Sequence, residues 1–188
     1  GFKIVLTYEN GILKTAATRG DGIYGEDVTQ NVKTIESIPL KLEKEIDVIV
    51  EGEIWMGKKD FEKLNAERKK KNEPLYANPR NVAAGTIRQI DPSVVAIRKL
   101  NSFIYDIGNI STPSVEERSG KTLGVISNTQ SEELNDLKKL GFKVNTNFKL
   151  CNGIDEVIKF WKEWEKKKDK QDYWIDGVVV KVNDRKFQ

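Results

Sequence analysis

A valine-rich segment near the end of the chain contains a lysine that could bind an anion. Residues 174–182 read Trp-Ile-Asp-Gly-Val-Val-Val-Lys-Val. A period of two places Gly177, Val179 and Lys181 on one face of a predicted strand and Asp176 on the other. Because lysine is seldom buried without a partner, Lys181 either caps the strand at the surface or reaches an anion in a pocket floored by Gly177 and Val179. The residues alone leave both interpretations open.

Two carboxylates lie on one face of another predicted strand. Glu51 and Glu53 fall within the run from Val48 to Met56, and alternate residues of a strand point to the same side. Carboxylates in this position are either solvated, or bind ribose hydroxyls or a magnesium ion. The pattern does not choose between these possibilities.

Two arginines lie on a predicted helix that begins at Asn78-Pro79. Arg80 and Arg88 are separated by about 80° around the helix axis and about 12 Å along it, so both could face one groove. Guanidinium groups near a helix amino terminus suit phosphate, because unpaired backbone N–H groups act with them. Spacing alone favours the alternative, in which both are surface arginines paired with carboxylates such as Asp91.

The composition excludes several kinds of chemistry. The 188 residues include no histidine and one cysteine, Cys151, which excludes a histidine base, a histidine-ligated metal, an internal disulfide and a multi-cysteine zinc site. The net charge of +3 permits contact with nucleic acid but does not require it. We find no run of about 18 apolar residues and no signal peptide, and we therefore expect a cytoplasmic protein without a membrane segment.

The predicted elements that position these residues alternate irregularly between strands and helices. Asn10-Gly11 predicts a hairpin between strands over 3–8 and 12–17, and a glycine-rich loop over 18–27 follows it. Helices are predicted over 60–71, 78–90, 131–140 and 155–168, and a further strand over 103–106. The lysine runs at the helix ends are interpreted as solvated, and residues 109–114 as a surface loop. The opening hairpin favours an α+β fold.

The predicted helix over 155–168 carries an apolar stripe. Its members are Val157, Ile158, Trp161 and Trp164, and apolar residues at this spacing form one face of a helix. We expect this face to belong to the core rather than to a cofactor site.

Five segments match, in the same order, the motifs of one family. They are Thr18-Arg19-Gly20-Asp21-Gly22 with Gly25-Glu26-Asp27-Val28-Thr29, then Glu51-Gly52-Glu53, Ala77-Asn78-Pro79-Arg80-Asn81 through Ala84-Gly85-Thr86-Ile87-Arg88-Gln89, Tyr105, and Ile175-Asp176-Gly177-Val178-Val179-Val180-Lys181-Val182. Together they resemble the adenylation domain of bacterial NAD-dependent DNA ligases. The stretch from Asn78 to Asp91 resembles these enzymes rather than ATP-dependent ligases or capping enzymes.

The resemblance implies an ATP-grasp-like nucleotidyltransferase fold, with antiparallel sheets flanked by helices around a nucleotide cleft. It also implies a reaction in three steps. AMP passes from NAD to a lysine, then to the 5′-phosphate of a DNA nick, and is released when the 3′-hydroxyl attacks. Magnesium would stabilise charge on the phosphoryl groups. The implied partner is nicked double-stranded DNA, and we expect a monomer.

The resemblance also assigns roles to individual residues. Glu53 and Arg19 would hold the ribose, Tyr105 would stack on adenine, and Val179 would line the base pocket. Lys181 would meet the α-phosphate. Arg80 and Arg88 would contact the nucleotide phosphates or the DNA backbone. Asp176 also matches the motif, although the predicted alternation turns it away from Lys181.

The chain departs from the family pattern at the nucleophile. The family places its reactive lysine in a Lys-x-Asp-Gly motif just before a strand like the one predicted at Lys3, and Gly1 resembles the glycine of that motif. Trp174-Ile175-Asp176-Gly177 has tryptophan where the lysine would be. We therefore expect residues 1–188 to be an adenylation-domain core without the upstream Lys-x-Asp and the final lysine motif downstream, and inactive alone. The alternative is a nucleotide-binding or nick-binding module without catalysis.

Overall fold

The sheet and helices of this chain form an α+β domain, as the sequence predicts. The computed structural model describes residues 1–20, 22, 24–108 and 127–188. Within these residues one antiparallel sheet has the strand order β2-β1-β3-β4. The strands are β1 (Phe2–Glu9), β2 (Ile12–Thr18), β3 (Val48–Met56) and β4 (Leu100–Ile107). The helices are α1 (Thr29–Val32), α2 (Lys58–Lys70), α3 (Pro79–Ile87), α4 (Pro92–Ile97), α5 (Gln130–Lys139) and α6 (Ile154–Lys167). Single 3₁₀ turns span Lys168–Lys170 and Arg185–Phe187.

The predicted opening hairpin is confirmed. Asn10 and Gly11 both adopt positive φ, 49° and 75°, which gives the turn a twist that matches the two strands. The Gly11 amide also donates to the Ile46 carbonyl at 2.8 Å. The turn thereby fixes the register of β1 against β2.

One face of the sheet forms the core. Ile4, Leu6, Val50, Ile54 and Ile104 on this face are fully buried. They belong to one apolar cluster with Val82, Ala83 and Ile87 of α3 and Leu137 of α5. Alternation along the strands directs the intervening residues to the opposite face, where Lys3, Glu51 and Glu53 are partly buried and Trp55 is buried against Phe103 and Tyr173. Part of that second face therefore carries polar groups.

The predicted helix from Asn78 to Ile90 is shorter than expected. Its amino terminus is as predicted, since the Asn78 side chain accepts from the Arg80 amide at 2.7 Å. The helix ends at Ile87, and α4 begins a few residues later. Asp91 accepts from the Ser93 amide at 2.9 Å, with Pro92 in the first turn of α4. The pair Asp91-Pro92 is thus a helix start that the sequence analysis did not use.

The predicted strand over 174–182 is wrong. These residues form no helix or strand, and none of their backbone N–H groups donates to a backbone carbonyl of the described residues. The outer edge of β4 is occupied instead. Ile104 N donates to Lys143 O, and the side chains of Gln130, Glu133 and Arg185 bond to backbone groups of Tyr105 and Ile107. An extended segment without a neighbouring strand cannot form a ladder.

The prediction that the apolar stripe of α6 belongs to the core is wrong for most of its length. Only Trp164 is buried, while Ile158 and Trp161 are 41% and 51% exposed. Periodicity shows that a helix has an apolar face but does not show what covers that face.

Two further expectations concern the surface. Arg68, Lys69 and Lys70 lie in the last turn of α2, and Lys166 and Lys167 lie in the last turn of α6, as predicted. The predicted surface loop over 109–114 falls outside the described residues.

No helix in the described part of the chain has the length and apolar character needed to cross a membrane.

Candidate functional site

The partly buried face of the sheet carries a row of charged side chains. In the strand register Lys3 lies opposite Glu53, and Glu51 lies opposite Asp106 of β4. Lys3 Nζ is 2.5 Å from Glu51 Oε2. Glu51 and Glu53 share this face, as the alternation predicts. Their oxygens are thus displayed on a rigid surface rather than on a loop.

Tyr105 lies within this charged row. Its ring is half-buried on β4. Burial, together with the carboxylates of Glu53, Glu51 and Asp106, raises the pKa of Tyr105 to about 12, although Arg19 opposes the shift. The phenol therefore stays neutral at physiological pH, and its ring offers an apolar surface among charged groups.

Lys181 reaches the same face from the carboxyl-terminal segment. Its ammonium nitrogen lies 5.8 Å from the centroid of the Tyr105 ring. It donates to Asp106 Oδ2 at 2.9 Å and to Gln130 Oε1 at 3.1 Å. Both predicted alternatives assumed a strand over 174–182, which the structure does not have; Lys181 instead approaches from an irregular segment, with its side chain 34% exposed.

A buried acidic residue behind Lys181 is a feature that the sequence analysis did not identify. Glu133 is fully buried on α5, accepts from the Ile107 amide, and lies 3.3 Å from Nη1 of Arg185. Burial, reinforced by the nearby Asp106 carboxylate, raises the pKa of Glu133 to about 7, although the Ile107 amide and Arg185 oppose the shift. Its spacing from Leu137 and Leu140 places Glu133 on the inward face of the helix, which was the available signal.

The two arginines predicted to share a groove have different surroundings. Arg88 forms an ion pair with Glu26 of the glycine-rich loop and donates to the Ala84 carbonyl at 3.3 Å. Arg80 is exposed in the first turn of α3. The pairing of Arg88 with a carboxylate agrees with the surface-ion-pair alternative, although the partner is Glu26 rather than Asp91.

The glycine-rich loop folds back on its own backbone. Thr18 N donates to Glu26 O at 3.0 Å, and a Cβ atom on Gly25 would collide with the Thr18 carbonyl oxygen. Arg19 follows directly after Thr18, which pairs with Ile4 of β1. Close packing within the loop therefore places the exposed Arg19 at the end of β2, beside the charged face.

Two predicted residues are not brought into this group. Val179 is 84% exposed, and Asp176 is exposed as well. Both lie in the segment that was expected to be a strand. Their predicted roles depend on a conformation that the structure does not have.

The charged face also offers groups suited to magnesium. Among the described residues, no three Asp, Glu, His or Cys side chains cluster around one point. Magnesium bound together with a nucleotide takes only one or two carboxylates and completes its shell with phosphate and water. The Glu51 carboxylate has this chemistry and would be the protein ligand of the ion.

An aromatic ring, an ammonium group and two carboxylates on one sheet face are the groups with which a nucleotide-binding domain holds base, phosphate and ribose. Sequence comparison makes the class specific. The family described as NAD-dependent DNA ligase adenylation domain matches residues 1–188. The chain therefore belongs to the family of NAD-dependent DNA ligase adenylation domains.

Individual relatives agree with this assignment. The chain is 51% identical to a DNA ligase of Thermotoga petrophila, 47% to one of Thermosipho africanus and 45% to one of Bacillus cytotoxicus. Each match covers 100% of this chain and 26% of the relative. The chain thus spans about a quarter of the length of the curated relatives it matches.

Proposed function

We propose that this chain binds the AMP part of NAD on the charged face of its sheet, within a DNA ligase that joins nicks in double-stranded DNA during replication and repair. Family membership supports the activity. The observation that carries the placement is the position of Lys181 Nζ, 5.8 Å from the Tyr105 ring centroid. A base stacked on the ring would leave its phosphate within reach of the ammonium.

Each remaining side chain has a role in this proposal. Tyr105 stacks on adenine, Glu53 and Arg19 bind the ribose, and Lys181 binds the α-phosphate.

Arg80 and Arg88 contact phosphates of the nucleotide or of DNA, so Arg88 would exchange its ion pair with Glu26 for a phosphate. Val179 would line the base and Asp176 would lie nearby only in a strand conformation of residues 174–182, which the structure does not have. Magnesium supplies charge stabilisation during phosphoryl transfer.

In the proposed reaction, one AMP group is transferred twice and then released. A lysine amine attacks the α-phosphorus of NAD, a P–N bond forms, and the P–O bond to nicotinamide mononucleotide breaks. An oxygen of the 5′-phosphate then attacks the same phosphorus and displaces the lysine. Finally the 3′-hydroxyl attacks the 5′-phosphorus and AMP leaves. The proposal assigns the nucleophile to a position three residues before Gly1.

Gly1 packs closely against β3, since a Cβ atom on it would lie 2.7 Å from the Ile54 carbonyl oxygen. The assignment of the nucleophile rests on the resemblance of Gly1 to the glycine of the family motif.

Intact-mass analysis tests this function. The chain, and a version extended upstream through Lys-x-Asp and the amino-terminal domain of the full ligase and downstream through the final lysine motif, are incubated with NAD and magnesium. We expect only the extended protein to gain the mass of one AMP, and ATP not to replace NAD. Labelling of the 188-residue chain would contradict the position of the nucleophile. Failure of both proteins to label would favour the alternative, a binding module without catalysis.

A further inference from the structure

The contact between Asp106 and Lys181 joins two segments that are distant in sequence. Lys181 lies in a stretch with no regular secondary structure, so strand pairing does not fix its position. Its ammonium group is nevertheless held by two acceptors, Asp106 Oδ2 at 2.9 Å and Gln130 Oε1 at 3.1 Å. An ammonium group has three N–H donors. One donor therefore remains for a further acceptor.

Asp106 also faces a second cation with its other oxygen. Arg185 Nη2 lies 3.9 Å from Asp106 Oδ1 and donates to the Ile107 carbonyl at 3.1 Å. Nη1 of the same guanidinium lies 3.3 Å from Glu133 Oε2. The Asp106 carboxylate thus directs one oxygen to each cation, and its side chain is only 26% exposed. A partly buried ion pair of this kind is screened by solvent less than a surface pair.

The backbone just beyond Lys181 is docked as well. Gln130 N donates to Asn183 O at 2.8 Å, and Ser131 N donates to Asn183 Oδ1 at 3.1 Å. Arg185 N donates to Asn128 O at 3.0 Å. The start of α5 therefore anchors the segment just beyond Lys181, while Asp106 anchors the Lys181 side chain.

We propose that Asp106 is a positioning residue, which holds the Lys181 ammonium beside Tyr105 with one donor free for the phosphate of a bound nucleotide. The inference rests on the proposed function, in which Lys181 meets the α-phosphate. Asp106 does not touch the nucleotide. It removes the rotamer freedom of a long side chain before the ligand arrives, and preorganisation of this kind raises affinity.

The opposite role would make Asp106 a competitor that occupies Lys181 and must be displaced by phosphate. The two roles predict opposite changes in AMP affinity when the charge of Asp106 is removed. If Asp106 positions Lys181, removal of its charge weakens AMP binding. If Asp106 competes for Lys181, removal of its charge strengthens AMP binding.

The test compares AMP with adenosine, which lacks the phosphate, by calorimetric titration of the 188-residue chain. We expect Asp106→Asn to lower the affinity for AMP roughly fivefold to tenfold, since a freed lysine side chain regains rotamer entropy, and to leave the affinity for adenosine unchanged. Unchanged adenosine binding also shows that the variant is folded. Gln130→Met, which removes the other acceptor, should act in the same direction and provides a second variant.

Asp136→Asn is the matched control. Asp136 also pairs with a lysine, Lys139, at 3.0 Å, and its replacement changes the net charge by the same amount. The control should leave the preference for AMP over adenosine intact. In a Lys181→Met background, Asp106→Asn should have no further effect on that preference, because the two residues act through one contact.

The possible results distinguish failure of the positioning role of Asp106 from failure of the proposed AMP-binding function. If AMP is preferred and Lys181→Met removes the preference, but Asp106→Asn leaves it unchanged or strengthens it, the positioning role is overturned while the proposed site stands. If the unaltered chain binds AMP no better than adenosine, or binds neither, the proposed role of Lys181 fails, and the inference fails with it.

Discussion

At the scale of single residues, the candidate site depends on side chains that are far apart in sequence. Tyr105 came from the resemblance to a family, Lys181 was singled out by its place in a valine-rich segment, and period-two alternation placed Glu51 and Glu53 on one face. Asp106 and Arg185 could not be found in this way, because their contacts depend on where α5 packs; helical spacing places Glu133 on the inward face of α5 but does not show its partners. A buried carboxylate with an arginine partner is a tertiary feature.

Tyr105→Ala should weaken the binding of AMP and of adenosine alike. Stacking of a base on an aromatic side chain contributes about 1–3 kcal/mol, so we expect roughly a tenfold loss. Tyr105→Phe keeps the ring and should retain nearly full affinity. Calorimetric titration measures both variants, and equal losses for the two would contradict a stacking role.

The raised pKa of Glu133 should make the free energy of unfolding depend on pH. Its pKa rises from the ordinary value of 4.5 to about 7 in the folded protein, so the folded state retains a proton that the unfolded chain releases over this range. The contribution to the free energy of unfolding is therefore fully present below about pH 4.5 and is lost as the pH rises through about 7.

Urea denaturation at a series of pH values between 4.5 and 8 measures this loss. Glu133→Gln cannot ionise, and the decrease in stability over the range should become shallower. Glu132→Gln, in the same turn of α5 but less buried, should retain the slope of the unaltered chain. The same slope in the Glu133 variant would show that this carboxyl does not titrate as described.

At the scale of elements, local signals in the sequence predicted much of the fold. The hairpin at Asn10-Gly11 and the cap at Asn78 are chemical signals within a few residues, and both are present in the structure. The strand over 174–182 failed, although its alternation is clear, because a strand also needs a neighbour with free backbone groups. Contacts from Lys143, Gln130, Glu133 and Arg185 occupy the edge of β4.

Two glycines in different elements should respond oppositely to alanine. Gly11 has a φ of 75°, and a Cβ atom there would collide with the Lys44 carbonyl oxygen, so Gly11→Ala should destabilise the domain by at least about 1–2 kcal/mol. Gly85 lies within α3, and a Cβ atom there would meet no other atom within 4 Å, so Gly85→Ala should stabilise the domain by about 0.5–1 kcal/mol. Chemical denaturation checks both values, and effects of equal sign would contradict the turn geometry.

At the scale of the whole molecule, the sheet separates a core face from a polar face. The sequence predicted the α+β class and an antiparallel hairpin, but it did not show which surfaces remain uncovered. Ile158 and Trp161 of α6 illustrate this, since their spacing is that of a core helix and both are exposed. Coverage depends on neighbouring elements and cannot be derived from one helix.

Rates of backbone hydrogen exchange should differ between residues 174–182 and the strands of the sheet. Backbone amides of residues 174–182 donate to no backbone carbonyl in the described part of the structure, so we expect them to exchange rapidly. Amides in the interior of β1 and β3 should exchange only through global unfolding. Mass spectrometry of peptides after deuterium labelling distinguishes rapidly from slowly exchanging amides. Strong protection of residues 174–182 would show that these residues do form the predicted strand.

The central claim is that the polar sheet face binds the AMP part of a nucleotide. A second location offers a contrast, since a cavity of about 400 Å³ near the start of β4 is lined by Lys99, Asn101 and Lys143. Titration of the isotope-labelled chain with AMP, followed by NMR chemical shifts, tests the claim most directly. We predict shifts concentrated at Tyr105, Glu53 and Lys181. Shifts confined to the cavity near Lys99, or none at all, would contradict it.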